Sequence, residues 1–128
     1  MKKWKKKRWM KECWDLWSVI VRVTGSDWRG YNTCYTCRRT FFWKELQAGH
    51  YLHNKLDFDS INVHPQCQQC NGYKHGSPRE YAKYLVEQYG VNVLKELSLA
   101  GREPSYPLKY YQDLYEKLKK QYDELNIH

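Results

Sequence analysis

Apolar positions recur at helical spacing from Met10 to Val23 (MKECWDLWSVIVRV), where Trp14, Trp17 and Val21 share one face and Cys13, Leu16 and Ile20 lie alongside. Such wide coverage predicts a packed helix, although Val19, Ile20, Val21 and Val23 also suit a strand. Ahead of it, KKWKKKR at residues 2–8 reads as a flexible basic arm, and Gly25 to Thr33 reads as a loop. QAGHYL, residues 47–52, has the make-up of a short strand. After a polar connection, INVH at 61–64 reads as a second strand or a turn, and Asn71 to His75 fits one or two helical turns.

Punctuation is clearer in the second half. Ser77 stands as an N-cap, Pro78 at the first helical position, and Glu80 completes a capping box three residues after Ser77. YAKYLVEQY continues that helix to Gly90, and VNVLKELSLA forms a shorter helix ending at Gly101. A last helix begins near Ser105 or Pro107. It carries Leu108, Tyr111, Tyr115, Leu118, Tyr122 and Leu125 as a narrow, heptad-like seam. That seam can pair with the same helix of a second subunit or pack on the cysteine-bearing central module.

With 128 residues the chain fits one domain, small enough for a metal staple to matter. Its organisation reads as a basic arm (1–9), a helix and loop (10–33), a central module (34–76), a helical extension (77–103) and a C-terminal helix (104–128). Charge sharpens this picture. The net charge is +8, and residues 1–44 hold 12 Lys/Arg against 3 Asp/Glu, so polyanions are the natural partners of the front end. The competing reading is a solvated tail that keeps the protein soluble. Six Trp and 12 Tyr allow a small core of large rings, and rings that stack on exposed bases; Trp4 and Trp9 are candidates.

No apolar run approaches a membrane span. Lys11, Glu12 and Asp15 interrupt what would have to be the apolar core of a secretory signal. The expected location is therefore a reducing cytoplasm, where CxxC pairs read as metal ligands rather than disulfides. Cys34 with Cys37, and Cys67 with Cys70, have knuckle spacing; four thiolates suit tetrahedral Zn2+ in a closed, structural site. Redox-active disulfides are the alternative, and Cys13 is left over in an apolar segment.

Between and just after the knuckles stand QAGHY, INVHPQC and CNGYKHG, with His50, Asn62 and Asn71 in that order. This resembles the zinc-containing HNH nucleases. The resemblance implies His50 on a first strand as general base, Asn62 holding the connecting loop, and Asn71 as ligand to a catalytic Mg2+ or Mn2+. His75, four residues on, is a further ligand candidate. WKELQAGHY, LDFDSINVHPQCQQCN and EYAKYLVEQYG resemble, in order and spacing, the NinG (Rap) family of phage recombination proteins. That similarity covers most of residues 14–100. It implies an endonuclease acting on branched DNA such as Holliday junctions, in an infected or lysogenic bacterial host, with a homodimer expected for two symmetric cuts.

The fold class expected is α+β: a four-cysteine, zinc-stabilised ββα-metal (HNH-like) core surrounded by helices, with a long C-terminal helix. Arg38, Arg39 and Lys74 near the core, and Lys5, Lys6, Lys7 and Arg8 in the arm, are the expected phosphate contacts. One departure stands out. Many HNH nucleases place Asp or His just before the catalytic His, and this chain has Gly49. Either His50 is itself a ligand, or His53, His64, Asp57 or Asp59 supplies the missing one. The alternatives to this function are a non-catalytic zinc DNA-binding module, an HNH nickase acting on duplex DNA, and a protein adaptor using the C-terminal helix.

Overall fold

The longest helix begins earlier than apolar periodicity alone requires. In the computed structural model, which describes residues 2–53, 56–101 and 106–127, α1 spans Lys6–Val23 with Lys5 as its N-cap. Lys6, Lys7 and Arg8 therefore belong to a helix and not to a free arm. The cause is Trp9, buried and in edge contact with Trp4 (4.7 Å) and Tyr115 (5.4 Å), which draws the basic turn onto the body of the protein. Trp4 packs there too, so neither ring is presented for base stacking. At the other end, Ile20 and Val21 are buried within the helix, which excludes the strand reading of that segment.

Two short antiparallel hairpins follow. Strands β1 (Tyr31–Thr33) and β2 (Thr40–Phe42) pair Tyr31 with Phe42, so the predicted loop of 25–33 ends in a strand. Strands β3 (Leu46–His50) and β4 (Val63–Cys67) pair Leu46 with Cys67 at one end and His50 with Val63 at the other. Both lie close to the segments predicted, but β4 starts two residues later because Asn62 is engaged in the connecting loop. Pro65 is accommodated within β4, opposite Ala48, on a sheet that among the described residues has two strands and no third on either edge.

Gln69–Tyr73 forms a π-helical turn, and His75 (φ 52°), Gly76 (φ 88°) and Ser77 (φ 48°) are all left-handed. His75 thus falls beyond the turn and does not continue a helical face with Asn71. Ser77 precedes α2 (Pro78–Tyr89) as predicted, but its side chain caps nothing at the helix start; its hydroxyl faces the Cys70 carbonyl at 3.5 Å instead. Gly90, at φ 104°, ends α2, and α3 runs Val93–Ala100. The last helix, α4, is Leu108–Glu124 with Pro107 as N-cap; Ser105 and the 103/104 boundary lie outside the described residues. No described helix is long and apolar enough to cross a membrane.

Apart from Leu108, which is exposed, the seam on α4 packs within the chain, on α1 rather than on the cysteine-bearing module. Tyr111 and Leu118 are buried with Trp9, Cys13 and Ile20 of α1, and Tyr115, Tyr122 and Leu125 pack on the same cluster. The Cys13 thiol donates to the Tyr111 carbonyl (3.3 Å), and burial pushes it up to about 11, so this residue is a core group and no ligand. A second core joins Tyr81 and Leu85 of α2 to Val93 and Leu97 of α3, with Tyr35 and Leu56. His64 borders it, stacked on Tyr35 at 3.9 Å, with Nε2 2.9 Å from the Ile61 carbonyl.

That placement makes His64 a structural group with a defined pH dependence. Burial lowers its pKa from the ordinary 6.5 to about 4, so between those values the unfolded chain binds a proton that the folded chain refuses. The neutral ring's contribution is complete above pH 6.5 and is lost as pH falls towards 4, by roughly 3 kcal/mol at about 1.4 kcal/mol per unit. NMR titration of the ring should show it still neutral at about pH 5, and His64→Phe should flatten the stability slope in this window. A midpoint near 6.5 would contradict the burial argument.

Candidate metal centre and the adjacent hairpin

Two tight turns bring the cysteines together. In the first knuckle, Arg38 N–H donates to the Cys34 carbonyl (3.0 Å) and Cys34 N–H to the Arg39 carbonyl (2.8 Å), with Arg38 at φ 67°. The second begins at the last residue of β4, where Cys70 N–H points at Cys67 Sγ (3.5 Å) and Cys67 N–H at Cys34 Sγ (3.3 Å). The sulfurs of Cys34, Cys37, Cys67 and Cys70 all lie within 4.8 Å of one another. Zn–S bonds of ~2.3 Å arranged tetrahedrally require sulfur–sulfur edges of about 3.8 Å. Cys37 and Cys67 already stand 3.8 Å apart. The donor set and its spacing fit zinc, and the four cysteines could hold one ion.

Electrostatics point the same way. Burial alone would raise Cys34, but N–H groups of Cys37 and Cys67, with the Thr36 hydroxyl and N–H, bring it down to about 6. Burial pushes Cys67 up to about 12, and the charge of Cys34 adds to that. One thiolate in the cage thus opposes the next, and a dication is what allows all four to ionise. Arg39 braces both knuckles from outside, with Nε 3.5 Å from Cys37 Sγ and Nη2 donating to Gln69 Oε1 at 2.7 Å. Among the described residues, this is the only group of three or more His, Cys, Asp or Glu side chains close enough to share a metal.

The cage grips one end of the β3–β4 hairpin, and His50 stands at the other. Its ring stacks on Trp14 of α1 (4.8 Å, 13°), and Nε2 lies 3.0 Å from Asp57 Oδ1, within ion-pair range though without hydrogen-bond geometry. The His53 ring is 5.3 Å away. Asn62, wholly buried, ties the connecting loop: its carbonyl oxygen accepts from Leu52 N–H (2.9 Å) and its amide donates to the Leu52 and Leu56 carbonyls (2.9 and 3.2 Å). Asp59 turns the same loop by accepting from the Ile61 and Asn62 N–H groups (2.8 and 3.1 Å). From α2, the Tyr81 hydroxyl donates to the Gly49 carbonyl (2.7 Å) and lies 3.3 Å from that of Asn62.

Asn71 sits on the π-helical turn and donates to Gln47 Oε1 of β3 (2.7 Å), leaving its own Oδ1 beside Gly49. Side chains alternate along a strand, so His50 faces α1 while the Gly49 position faces Asn71. The structure therefore brings Asn71 next to the residue before His50, and not to the His50 ring itself. His75 is exposed and, among the described residues, makes no side-chain hydrogen bond or ion pair with any of these groups. Arg38, Arg39 and Lys74 are exposed around the two knuckles; Arg38 lies over the Tyr84 ring at 3.6 Å. Lys5, Lys7 and Arg8 are exposed at the start of α1, and Arg8 pairs with Glu12 (2.7 Å).

Gly49 has a physical reason. A β-carbon built there would overlap Gln66 Oε1 and sit 3.0 Å from Asn71 Oδ1. Gln66 is fully buried, and its amide nitrogen donates to Thr36 Oγ1 (3.1 Å) and the Gly76 carbonyl (2.9 Å), which fixes Oε1 over Gly49. Sequence reasoning missed Gln66, Gln47, Trp14 and Tyr81; the signal for Gln66 was its place two residues after His64, on the same inward face of β4.

Gly49→Asp should therefore destabilise the fold by about 1–3 kcal/mol through overpacking, read from urea unfolding. The double variant Gly49→Asp/Gln66→Ala should recover part of that loss. Additive losses in the double variant would show that Gln66 does not occupy the space.

A family model described as Bacteriophage Lambda NinG protein matches residues 1–126. The chain is 29% identical over 93 residues to protein ninG of Salmonella phage P22, covering 70% of this chain and 43% of that protein. It is 28% identical over 93 residues to protein ninG of Escherichia phage 933W, covering 70% and 44%. The chain thus matches less than half the length of these relatives. No solved structure matches. With knuckles, hairpin and flanking helices all inside the matched region, the chain belongs to the NinG family of phage proteins.

Proposed function

We propose that this protein is a metal-dependent DNA endonuclease of the HNH type that acts on branched recombination intermediates such as four-way junctions. One observation carries the reading. A two-stranded hairpin presents His50 beside Asp57, is held by Asn62, and runs straight into a helical turn bearing Asn71, with a four-cysteine cage at its base.

The chemistry follows from those placements. Asp57 Oδ1, 3.0 Å from His50 Nε2, sets a carboxylate beside that nitrogen, and Nδ1 is the nitrogen left to accept a proton. Nδ1 takes a proton from water as the oxygen attacks phosphorus; the bond to the 3′ oxygen breaks, and that oxygen takes a proton from solvent, leaving a 3′ hydroxyl and a 5′ phosphate. Neutralisation of charge on the phosphate and the departing oxygen is the chemistry that Mg2+ or Mn2+ would supply when bound. Asn71 Oδ1, which accepts no hydrogen bond among the described residues and lies on the side of Gly49, is the oxygen that would hold that ion. His75, left-handed, exposed and off the turn, is dropped from the ligand set. A zinc ion bound by four thiolates has no open position and stays outside the reaction. Arg38, Arg39, Lys74 and the exposed cations at the start of α1 contact phosphates, and two copies of the chain supply the two cuts a junction needs.

A second reading, a non-catalytic zinc DNA-binding module, draws on the lack of a second His/Cys/Asp/Glu cluster among the described residues. Cleavage separates the two. End-labelled four-way junction and linear duplex would be incubated with Mg2+, with Mn2+, or with no added divalent ion. Cutting of the junction should require the added metal and fall about a hundredfold or more in His50→Ala, with bound zinc and fold unchanged. Tight junction binding without cutting under every metal would establish the binding module instead.

A further inference from the structure

We propose that the turn Asp27–Gly30 is a base-stacking platform: Trp28, flanked by Arg29 and Tyr31, takes up an unpaired nucleobase of branched or single-stranded DNA. The proposal rests on the DNA-binding reading above and adds a recognition site to it. Trp28 is 92% exposed, the most open of the large hydrophobic side chains described. Nothing in the local fold asks for a tryptophan at this position.

The turn that carries it is tightly built. Asp27 N–H donates to the Tyr31 carbonyl (2.8 Å), Gly30 N–H to the Asp27 carbonyl (3.0 Å), and Trp43 N–H to the Gly30 carbonyl (2.8 Å). Asp27 Oδ1 accepts from the N–H groups of Arg29 and Tyr31, each at 2.9 Å. Gly30 adopts φ +85°, and a β-carbon there would stand 2.8 Å from the Phe42 ring, so the turn is seated directly on β2. A large ring held out on a rigid turn loses little conformational entropy on binding, the property that makes aromatic anchors effective.

The surroundings identify the partner's chemistry. Residues 22–44 carry five Lys/Arg and one carboxylate, and that carboxylate, Asp27, is engaged by backbone N–H groups. Arg29 lies 5.7 Å over the Trp28 ring and 5.2 Å over Tyr31, and among the described residues its guanidinium makes no ion pair. It is free for a phosphate beside a stacked base. Rings and cations continue along the hairpin, with Tyr31 against Phe42 (5.8 Å), Phe42 against Trp43 (6.2 Å) and Lys44 over Trp43 (5.7 Å). Alternating rings and positive charge suit a strand of nucleotides, whereas paired bases inside a duplex offer no open face to stack on. The platform therefore favours branch points and single strands over plain duplex.

The test compares wild type, Trp28→Ala and Trp28→Phe for affinity towards a dT oligonucleotide, a four-way junction and a linear duplex at one salt concentration. Trp28→Ala should bind the oligonucleotide and junction roughly tenfold more weakly, with duplex affinity unchanged, while Trp28→Phe keeps most of the wild-type value. Tryptophan emission of wild type should be quenched by dT, and that quenching should shrink in Trp28→Phe. Equal affinities for wild type and Trp28→Ala would overturn the platform while leaving the nuclease reading intact. A wild type that binds none of the three DNAs would overturn both.

Discussion

Everything at the centre of this molecule depends on four sulfurs being held within 4.8 Å of one another. A two-stranded hairpin is marginal in water on its own. Here Cys67 is both the last residue of β4 and the partner of Leu46, the first residue of β3, so the cage closes the hairpin at its base. Cys34 reaches across to the Cys67 N–H, which joins the first knuckle to the second. Such an arrangement suits a chain of 128 residues whose core is divided among separate clusters. Metal, if bound, would act on folding first and on function only through the hairpin it steadies.

At the far end of the hairpin the fold supports His50 from several directions. Trp14 covers one side of its ring, Tyr81 fixes the carbonyl of the preceding residue, and Asn62 locks the loop that brings Asp57 to it. Helix α4 contributes by holding α1, since the apolar seam predicted from sequence is spent on Trp9, Cys13 and Ile20. A dimer that cuts both strands of a junction would need a different surface. The close fit of Gln66 over Gly49 explains why the residue before His50 has no side chain.

What could be read in advance was whatever local chemistry dictates. CxxC spacing is set by zinc geometry, Pro78 and Gly90 punctuate α2 by their own backbone limits, and His50 to Asn71 fall on the hairpin and turn expected of them. What failed was set by distant contacts. Lys6, Lys7 and Arg8 look like a free arm until Tyr115, more than a hundred residues away, buries Trp9. His75 looks like part of a helical turn and Ser77 like a side-chain cap until the Gly76 N–H bonds the Cys70 carbonyl and the segment turns left-handed; Ser77 keeps its place before α2 but not its cap bond. Trp4 and Trp9 look in sequence like the rings for stacking, yet Trp9 is buried and Trp4 is half-buried against it, while Trp28 stands outside. The DNA substrate and the catalytic ion were read from family resemblance and belong to the proposed function, whereas the four-cysteine cage is seen directly.

The most direct test of the central claim is a Co2+ titration of metal-free protein, followed together by visible absorption and by backbone NMR. Four converging thiolates should give an intense tetrahedral, thiolate-bound cobalt spectrum that saturates at one ion per chain. The amides of Leu46–His50 and Val63–Cys67 should become dispersed over the same additions. A weak six-coordinate spectrum, or hairpin signals already dispersed before any metal is added, would contradict it.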